Sequence, residues 1–263
     1  MNDSPHIRYV SGIRPTGHIH LGNYLGAIRQ WKKLQEQGDS LFFVADLHGI
    51  HSSGETLDTL STLRDLGIRN ITIQSDFDSR HLRLHARLMH YVTLGQLNRM
   101  TQFKEKSEKE AQTAALLTYP VLMAADIFHL DGTHVPVGND QVQHIEFVRD
   151  LCDRLPHEPF LKPEAVIGDY PRIMSLTDGT RKMSKSDPDD MSRINVTDSA
   201  DTIRSKVMAA KTAMSLSDDT PEVRNLKTIY RAVGGSKEHD RWKLFKDELV
   251  ELLVAELGAY DLR

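Results

Sequence analysis

Residues 11–23 read SGIRPTGHIHLGN, the order of residue types expected where a β-strand ends, the chain turns and a helix begins. Glycines at 12, 17 and 22 permit tight turns or close backbone approach at such a junction. A helix starting near residues 22–24 would aim unpaired N–H groups at a bound phosphate. His20 and Asn23 stand at its mouth, three positions apart and able to face one ligand. Working outward, Tyr24–Gln37 repeats apolar residues at Leu25, Ile28, Trp31 and Leu34, the spacing of a helix, and Gly38 supplies its stop. The apolar run Leu41–Ala45 is bounded by polar residues, as a buried parallel strand is. Strand, loop, helix and strand in this order open a doubly wound parallel sheet of the α/β class.

The second informative stretch is RKMSKSDP, Arg181–Pro188. Two lysines three apart in a Ser-rich loop, Lys182 and Lys185, suit a polyphosphate better than a core, and Ser184 and Ser186 add donors. Either stretch alone reads equally well as a polar surface loop; together they point to ATP chemistry. His20–Asn23 (HLGN) and Lys182–Ser186 (KMSKS) resemble the two signatures of class I aminoacyl-tRNA synthetases. From about Val10 to about Leu257 the sequence is similar to the tryptophanyl-tRNA synthetases. The resemblance implies a Rossmann-like catalytic domain over residues 1–188, including the lysine loop. Over residues 189–263 it implies a small, truncated helical region like the start of an anticodon-binding domain, its last helix packing back on the catalytic domain.

The site can be read partly from the residues themselves. Leu117–Phe128 is an apolar run with one acid, and Tyr119, Met123 and Asp126 recur at spacings of four and three, so they can share a helical face. A buried carboxylate requires a donor; a backbone N–H or an arginine would serve. By resemblance the partner of Asp126 is the indole N–H of tryptophan, and phenylalanine, which lacks that donor, would strand the acceptor. Val135 and Val137, on one side of a strand over Thr133–Val137, can line a flat apolar slot. Asp46 and His48 fall just beyond a strand, where open α/β sheets place ligand groups.

The resemblance assigns the remaining roles. His20, Asn23, Lys106, Lys182 and Lys185 are the expected catalytic groups, aligning ATP and stabilising charge on the transferring phosphate. Arg14, Thr16, Gly22, Asn23, Gly138, Asp140, Lys182, Ser184 and Lys185 are expected at ATP, with Ile173 and Met174 as a backbone-and-apolar seat for adenine. Val10, His48, Tyr119, Met123, Asp126, Val135, Val137 and Gln141 are expected around tryptophan. Two positions depart from the family: Val10 stands where a phenylalanine often packs on the indole, and Leu47 replaces a polar residue. A smaller side chain at position 10 leaves space for the ligand or a neighbour to fill.

Elsewhere the pattern predicts a helix over Leu57–Leu66, a strand over Asn70–Gln74 and one long helix over His81–Met100. Thr101–Lys109 reads as a charged connecting segment. Further helices are expected over Val196–Ala213 and Pro221–Val233, followed by an amphipathic stretch through Trp242, Phe245, Leu249, Leu252 and Leu253. If that last helix lacks its usual partners, it must repack locally or expose its apolar face.

Composition narrows the class. No run approaches the roughly 18–20 apolar residues that cross a bilayer, and MNDSPHIRY is unlike a signal peptide, so the cytoplasm is expected. Cys152, the sole cysteine, excludes an internal disulfide and a Cys-based zinc cluster, and its apolar surroundings read as those of a buried thiol. A net charge of −4 argues against a chain coated in nucleic acid without excluding a local basic patch for tRNA. The expected partners are L-tryptophan, ATP with Mg²⁺ held mainly by phosphate oxygens and water, tRNA(Trp) and a second copy of the chain; no membrane, DNA or dedicated metal site is expected. Two alternatives stay open: an amino-acid-adenylating paralogue with weak or no tRNA charging, and a nonenzymatic ATP- or RNA-binding regulator.

Overall fold

The computed structural model of the chain describes residues 6–107, 111–138, 141–155, 160–168, 172–185 and 187–258, the side chains of 105–107 excepted. Two compact units emerge, one of residues 1–15, 30–60 and 67–168, the other of residues 16–29, 61–66 and 169–263.

The first unit holds the sheet. Its strands are β1 (Arg8–Ile13), β2 (Asp39–Val44), β3 (Ile71–Ile73), β4 (His134–Val137) and β5 (Glu164–Ile167). They lie in the order β3-β2-β1-β4-β5, every neighbouring pair parallel. The chain winds outward from β1 through β2 to β3 and then crosses to the other side of β1, which is the doubly wound topology. The switch point therefore lies between β1 and β4, where such sheets open a crevice beyond their carboxyl ends. The six-pair β1–β2 register is reinforced at its start, where Arg8 Nε donates to Asp39 at 2.6 Å.

Helix α1 (Leu21–Asn23) continues through a π-helical stretch, Tyr24–Ile28, into α2 (Arg29–Gln37). The indole of Trp31 on α2 stacks on Phe42 of β2 with centroids 4.6 Å apart, covering the sheet. Next come α3 (Ser53–Asp65), α4 (Ser79–Leu88), α5 (Leu94–Leu97), α6 (Thr101–Ser107), α7 (Ala114–His129) and α8 (Val142–Arg154). The single helix predicted over His81–Met100 is in fact broken. After α4 and a 3₁₀ turn, Val92 is extended, and Thr93 starts α5 with a reciprocal capping box to Gln96. Apolar spacing carried across that break because a cap restarts a helix without changing which residues are greasy. The charged segment predicted as a connector forms α6 and buries Phe103. Cys152 is buried on α8, and burial raises its thiol pKa.

The second unit contains α9 (Ala200–Ala209), α10 (Pro221–Ala232) and α11 (Trp242–Gly258). The helix predicted over Val196–Ala213 shrinks to α9. Ser199 caps its start, and the buried Lys246 of α11 donates to Met208 O and Ala210 O at its end, both at 2.8 Å. Phe245, Leu249, Val250, Leu253 and Leu257 of α11 are buried, so this helix repacks locally. Near its end Glu256 accepts from Tyr24 Oη at 3.0 Å and lies 3.5 Å from Arg29 Nε. The HLGN turn, within residues 16–29, clusters in this second unit with the segment that carries the lysine loop.

Candidate active site

In the second unit, the turn after β1 reverses at Gly17, whose φ of 57° suits a residue without a side chain. A Cβ there would stand 3.7 Å from Lys185 Cβ, so the first signature lies against the second. His20 caps α1. Its Nδ1 accepts from Asn23 N and Asn23 Oδ1 accepts from His20 N, each at 3.3 Å. Acceptance at Nδ1 assigns the proton to Nε2. Burial, then the charges of Lys185, Arg193 and Lys182, lower the His20 pKa to about 3, so the ring is neutral at physiological pH. Leu21 N to Ile194 O at 2.8 Å and Val196 N to Ile19 O at 2.9 Å strap this turn to the segment after the lysine loop.

The lysine loop hangs from a two-residue pairing. Met183 N donates to Ile173 O at 3.1 Å and Ser175 N to Arg181 O at 2.7 Å, with Met183 buried as the anchor. Lys182 is exposed and Lys185 half-buried. Ile173 faces the HLGN turn, its Cβ 3.6 Å from where a Cβ on Gly22 would lie. Met174 does not share that face; it lines an open cavity of about 400 Å³ with Arg172 and Arg224. Its backbone groups bind a side chain of the same unit. Asn225, buried on α10, accepts from Met174 N and donates to Met174 O, both at 2.9 Å. Ile173 and Met174, the two residues expected at adenine, thus face different neighbours: Ile173 the HLGN turn, Met174 the cavity beside Asn225.

The first unit contains the acid. Asp126 of α7 is buried among three donors: Gln74 Nε2 at 2.6 Å and His81 Nε2 at 2.8 Å on Oδ1, and His48 Nε2 at 2.9 Å on Oδ2. Burial alone would raise its pKa, but hydrogen bonds from His48 and His81, the nearby His48 charge and the Gln74 hydrogen bond hold it below the usual carboxylate range. Two turns earlier on α7, Tyr119 Oη meets His144 Nε2 at 2.6 Å, and burial pushes the phenol up to about 12 against the opposing charge of Arg14. Met123 lies half-buried on the core that contains Val135 and Val137. Val10 is buried and packs with Phe43, Ala45 and Leu130. The Phe43 ring passes over Gly12, where a Cβ would come within 2.5 Å, so a neighbour fills the space beside Val10. Leu47 is exposed, and its backbone N–H binds Gln74 Oε1 at 3.0 Å. Gln141, at the N-terminus of α8, is exposed and donates its N–H to Gly138 O at 2.9 Å. Asp140, Ser186 and the Lys106 side chain lie outside the described residues.

The family model described as tRNA synthetases class I (W and Y) matches residues 1–255. The chain belongs to that family. The tryptophan–tRNA ligase of Nostoc sp. is 43% identical over 287 residues, covering 95% of this chain and 84% of the relative. That of Caulobacter vibrioides is 41% identical, covering 95% and 83%. Among solved structures, the tryptophanyl-tRNA synthetase of Mycoplasma pneumoniae matches with a TM-score of 0.82 at 31% identity, covering 98% of this chain and 87% of that one. The Campylobacter jejuni enzyme, complexed with ADP and tryptophan, matches at 0.77 and 28%, covering 97% and 87%.

In this class I synthetase, four groups escaped the sequence reading: Gln74, His81, Arg193 and Asn225. His81 left a signal, because it shares the buried face of α4 with Leu84 and Leu88, and a histidine on an apolar stripe must find a polar partner. The other three sit at a strand end, in a loop and on a helix whose local sequence is unremarkable for those positions.

Proposed function

We propose that this protein activates L-tryptophan with ATP to tryptophanyl-adenylate and then transfers the tryptophanyl group to the terminal ribose of tRNA(Trp). The observation that carries this reading is the joining of the two signature segments, with Gly17 against Lys185 and a neutral, capped His20 beside Lys182 and Lys185. In the first step a tryptophan carboxylate oxygen attacks the α-phosphorus, the bond from that phosphorus to the bridging oxygen breaks, and pyrophosphate leaves. The carboxylate is already a nucleophile, so alignment and charge stabilisation suffice. His20 Nε2–H and Asn23 donate to phosphate oxygens; Lys182, Lys185 and Lys106 offset charge on the departing pyrophosphate. Arg14, Thr16, Gly22, Gly138, Asp140, Ile173, Met174 and Ser184 position ATP. Asp126 accepts from the indole N–H, and Val10, His48, Tyr119, Met123, Val135, Val137 and Gln141 shape the amino-acid slot.

Among the described residues no three His, Cys, Asp or Glu side chains converge as a metal cage. The Mg²⁺ that accompanies ATP is therefore assigned to phosphate oxygens and water, where it would neutralise phosphate charge. Leu82, Met89, Tyr91 and Leu94, exposed along α4, the following turn and α5, supply apolar surface for a homodimer. The helices after residue 188 are assigned to tRNA recognition. No described helix is long and apolar enough to cross a membrane, and a cytoplasmic setting suits the proposed reaction.

ATP–pyrophosphate exchange, run with each amino acid separately, tests the first step. Exchange selective for tryptophan is expected. Its absence from folded, ATP-binding protein would overturn the reading. Charging of tRNA(Trp) transcript tests the second step on its own.

A further inference from the structure

The two oxygens of Asp126 are not equivalent. Oδ1 accepts from Gln74 Nε2 and His81 Nε2, and both of those side chains are fully buried. Oδ2 accepts, among the described residues, only from His48 Nε2, which sits on the 3₁₀ turn Asp46–His48 with 12% of its side chain exposed. A carboxylate oxygen has two acceptor directions. Oδ1 is filled; Oδ2 keeps one direction open, on the side where the network approaches solvent.

The donors on Oδ1 are themselves fixed. Gln74 cannot flip its amide without losing Leu47 N–H, which its Oε1 accepts at 3.0 Å. The His81 ring is held edge-on by Phe77, centroids 5.1 Å apart at 87°, and by His129 at 5.5 Å and 63°. Gln74 reaches in from the end of β3 and His81 from the first turn of α4, so two elements clamp one oxygen. Removing either clamp leaves the carboxylate free to turn about its own axis and spend Oδ2 on the remaining internal donors.

We propose that His81 is a specificity-determining positioning residue: together with Gln74 it occupies Oδ1 of Asp126 and so keeps the open direction of Oδ2 aimed at the indole N–H. This rests on the reading of Asp126 as the indole acceptor. His81 touches no substrate; it acts through Asp126. Its removal should weaken only the ligand that offers an N–H at that point.

The experiment compares tryptophan with 3-benzothienylalanine, in which sulfur replaces the indole N–H, in pyrophosphate exchange by the full chain. His81→Leu should raise KM for tryptophan roughly ten-fold, the size of one lost hydrogen bond, with kcat nearly unchanged and KM for benzothienylalanine nearly unchanged. His81→Asn, which retains an N–H donor, should recover much of the loss. Gln74→Leu provides the same readout should His81→Leu fail to fold. Equal losses for both substrates would make His81 a merely structural residue and overturn the inference. Asp126→Ala, which removes the acceptor, separates the two claims. If it erases the preference for tryptophan while His81→Leu harms both substrates alike, only the inference fails; if the preference survives Asp126→Ala, the reading of Asp126 itself fails.

Discussion

The pocket around Asp126 and the turn around His20 solve opposite electrostatic problems. At Asp126 the chain buries an acid and surrounds it with donors, so most of its hydrogen-bonding capacity is satisfied internally. At His20 it buries a base among cations, so the imidazole stays neutral and Lys182, Lys185 and Arg193 add positive charge without a counter-charge from that ring. The first arrangement suits a neutral ligand that contributes one hydrogen bond. The second suits a polyanion, which brings the missing charge with it. A rigid, satisfied network selects; a set of like charges waits for its ligand and stabilises what develops on it.

Breaking the acid pocket should have the largest effect. Asp126→Ala leaves three donors facing a cavity and removes the indole acceptor, so kcat/KM for tryptophan in exchange should fall on the order of 100-fold or more, with a loss of thermal stability. A fall below ten-fold would mean that the acid contributes little to selection and would dissolve the contrast. On the cationic side, Lys185→Ala should slow exchange about 100-fold while leaving KM for tryptophan nearly intact, as removal of one transition-state contact does. If KM for tryptophan moved instead, the division of labour would be reversed.

A smaller effect is expected at Gly22. A Cβ there would stand 3.0 Å from His20 Cε1 and 3.1 Å from Nδ1. Gly22→Ala should therefore displace the ring and raise KM for ATP several-fold, roughly the worth of one weakened hydrogen bond, without altering tryptophan binding measured calorimetrically. An unchanged KM would show that the ring yields at no cost to ATP.

The mildest test is one of pH. The folded pKa of His20 is lowered to about 3, so below its ordinary value of about 6.5 the unfolded chain takes up a proton that the native state refuses. The contribution is fully present above 6.5 and is lost as pH falls toward 3, at no more than about 1.4 kcal/mol per pH unit. His20→Gln should flatten that part of the urea-derived stability curve relative to the parent. Parallel curves would mean that the imidazole is solvated.

Much of this architecture is legible in the sequence. The alternation of Leu41–Ala45 with helical periodicity over Tyr24–Gln37 reports burial by period, and burial by period is local information. The HLGN and KMSKS segments were legible for the same reason, as short contiguous runs. The break at Thr93 was missed because a capping box is a matter of backbone geometry rather than apolar spacing. Gln74, His81 and Asn225 were missed because their partners stand 45 to 52 residues away in the chain.

The sequence by itself determined the sheet class, the two signature segments, the buried thiol and the lone acid in the apolar run of α7. Each of these depends on residue type and near-neighbour order. The tertiary structure alone decided which oxygen of Asp126 is filled, that Asn225 binds the backbone of Met174, that Phe43 packs beside Val10 and that His20 is held neutral. Those outcomes depend on direction and distance between groups remote in the chain, and hydrogen bonding and desolvation are set by that geometry, which no spacing rule encodes.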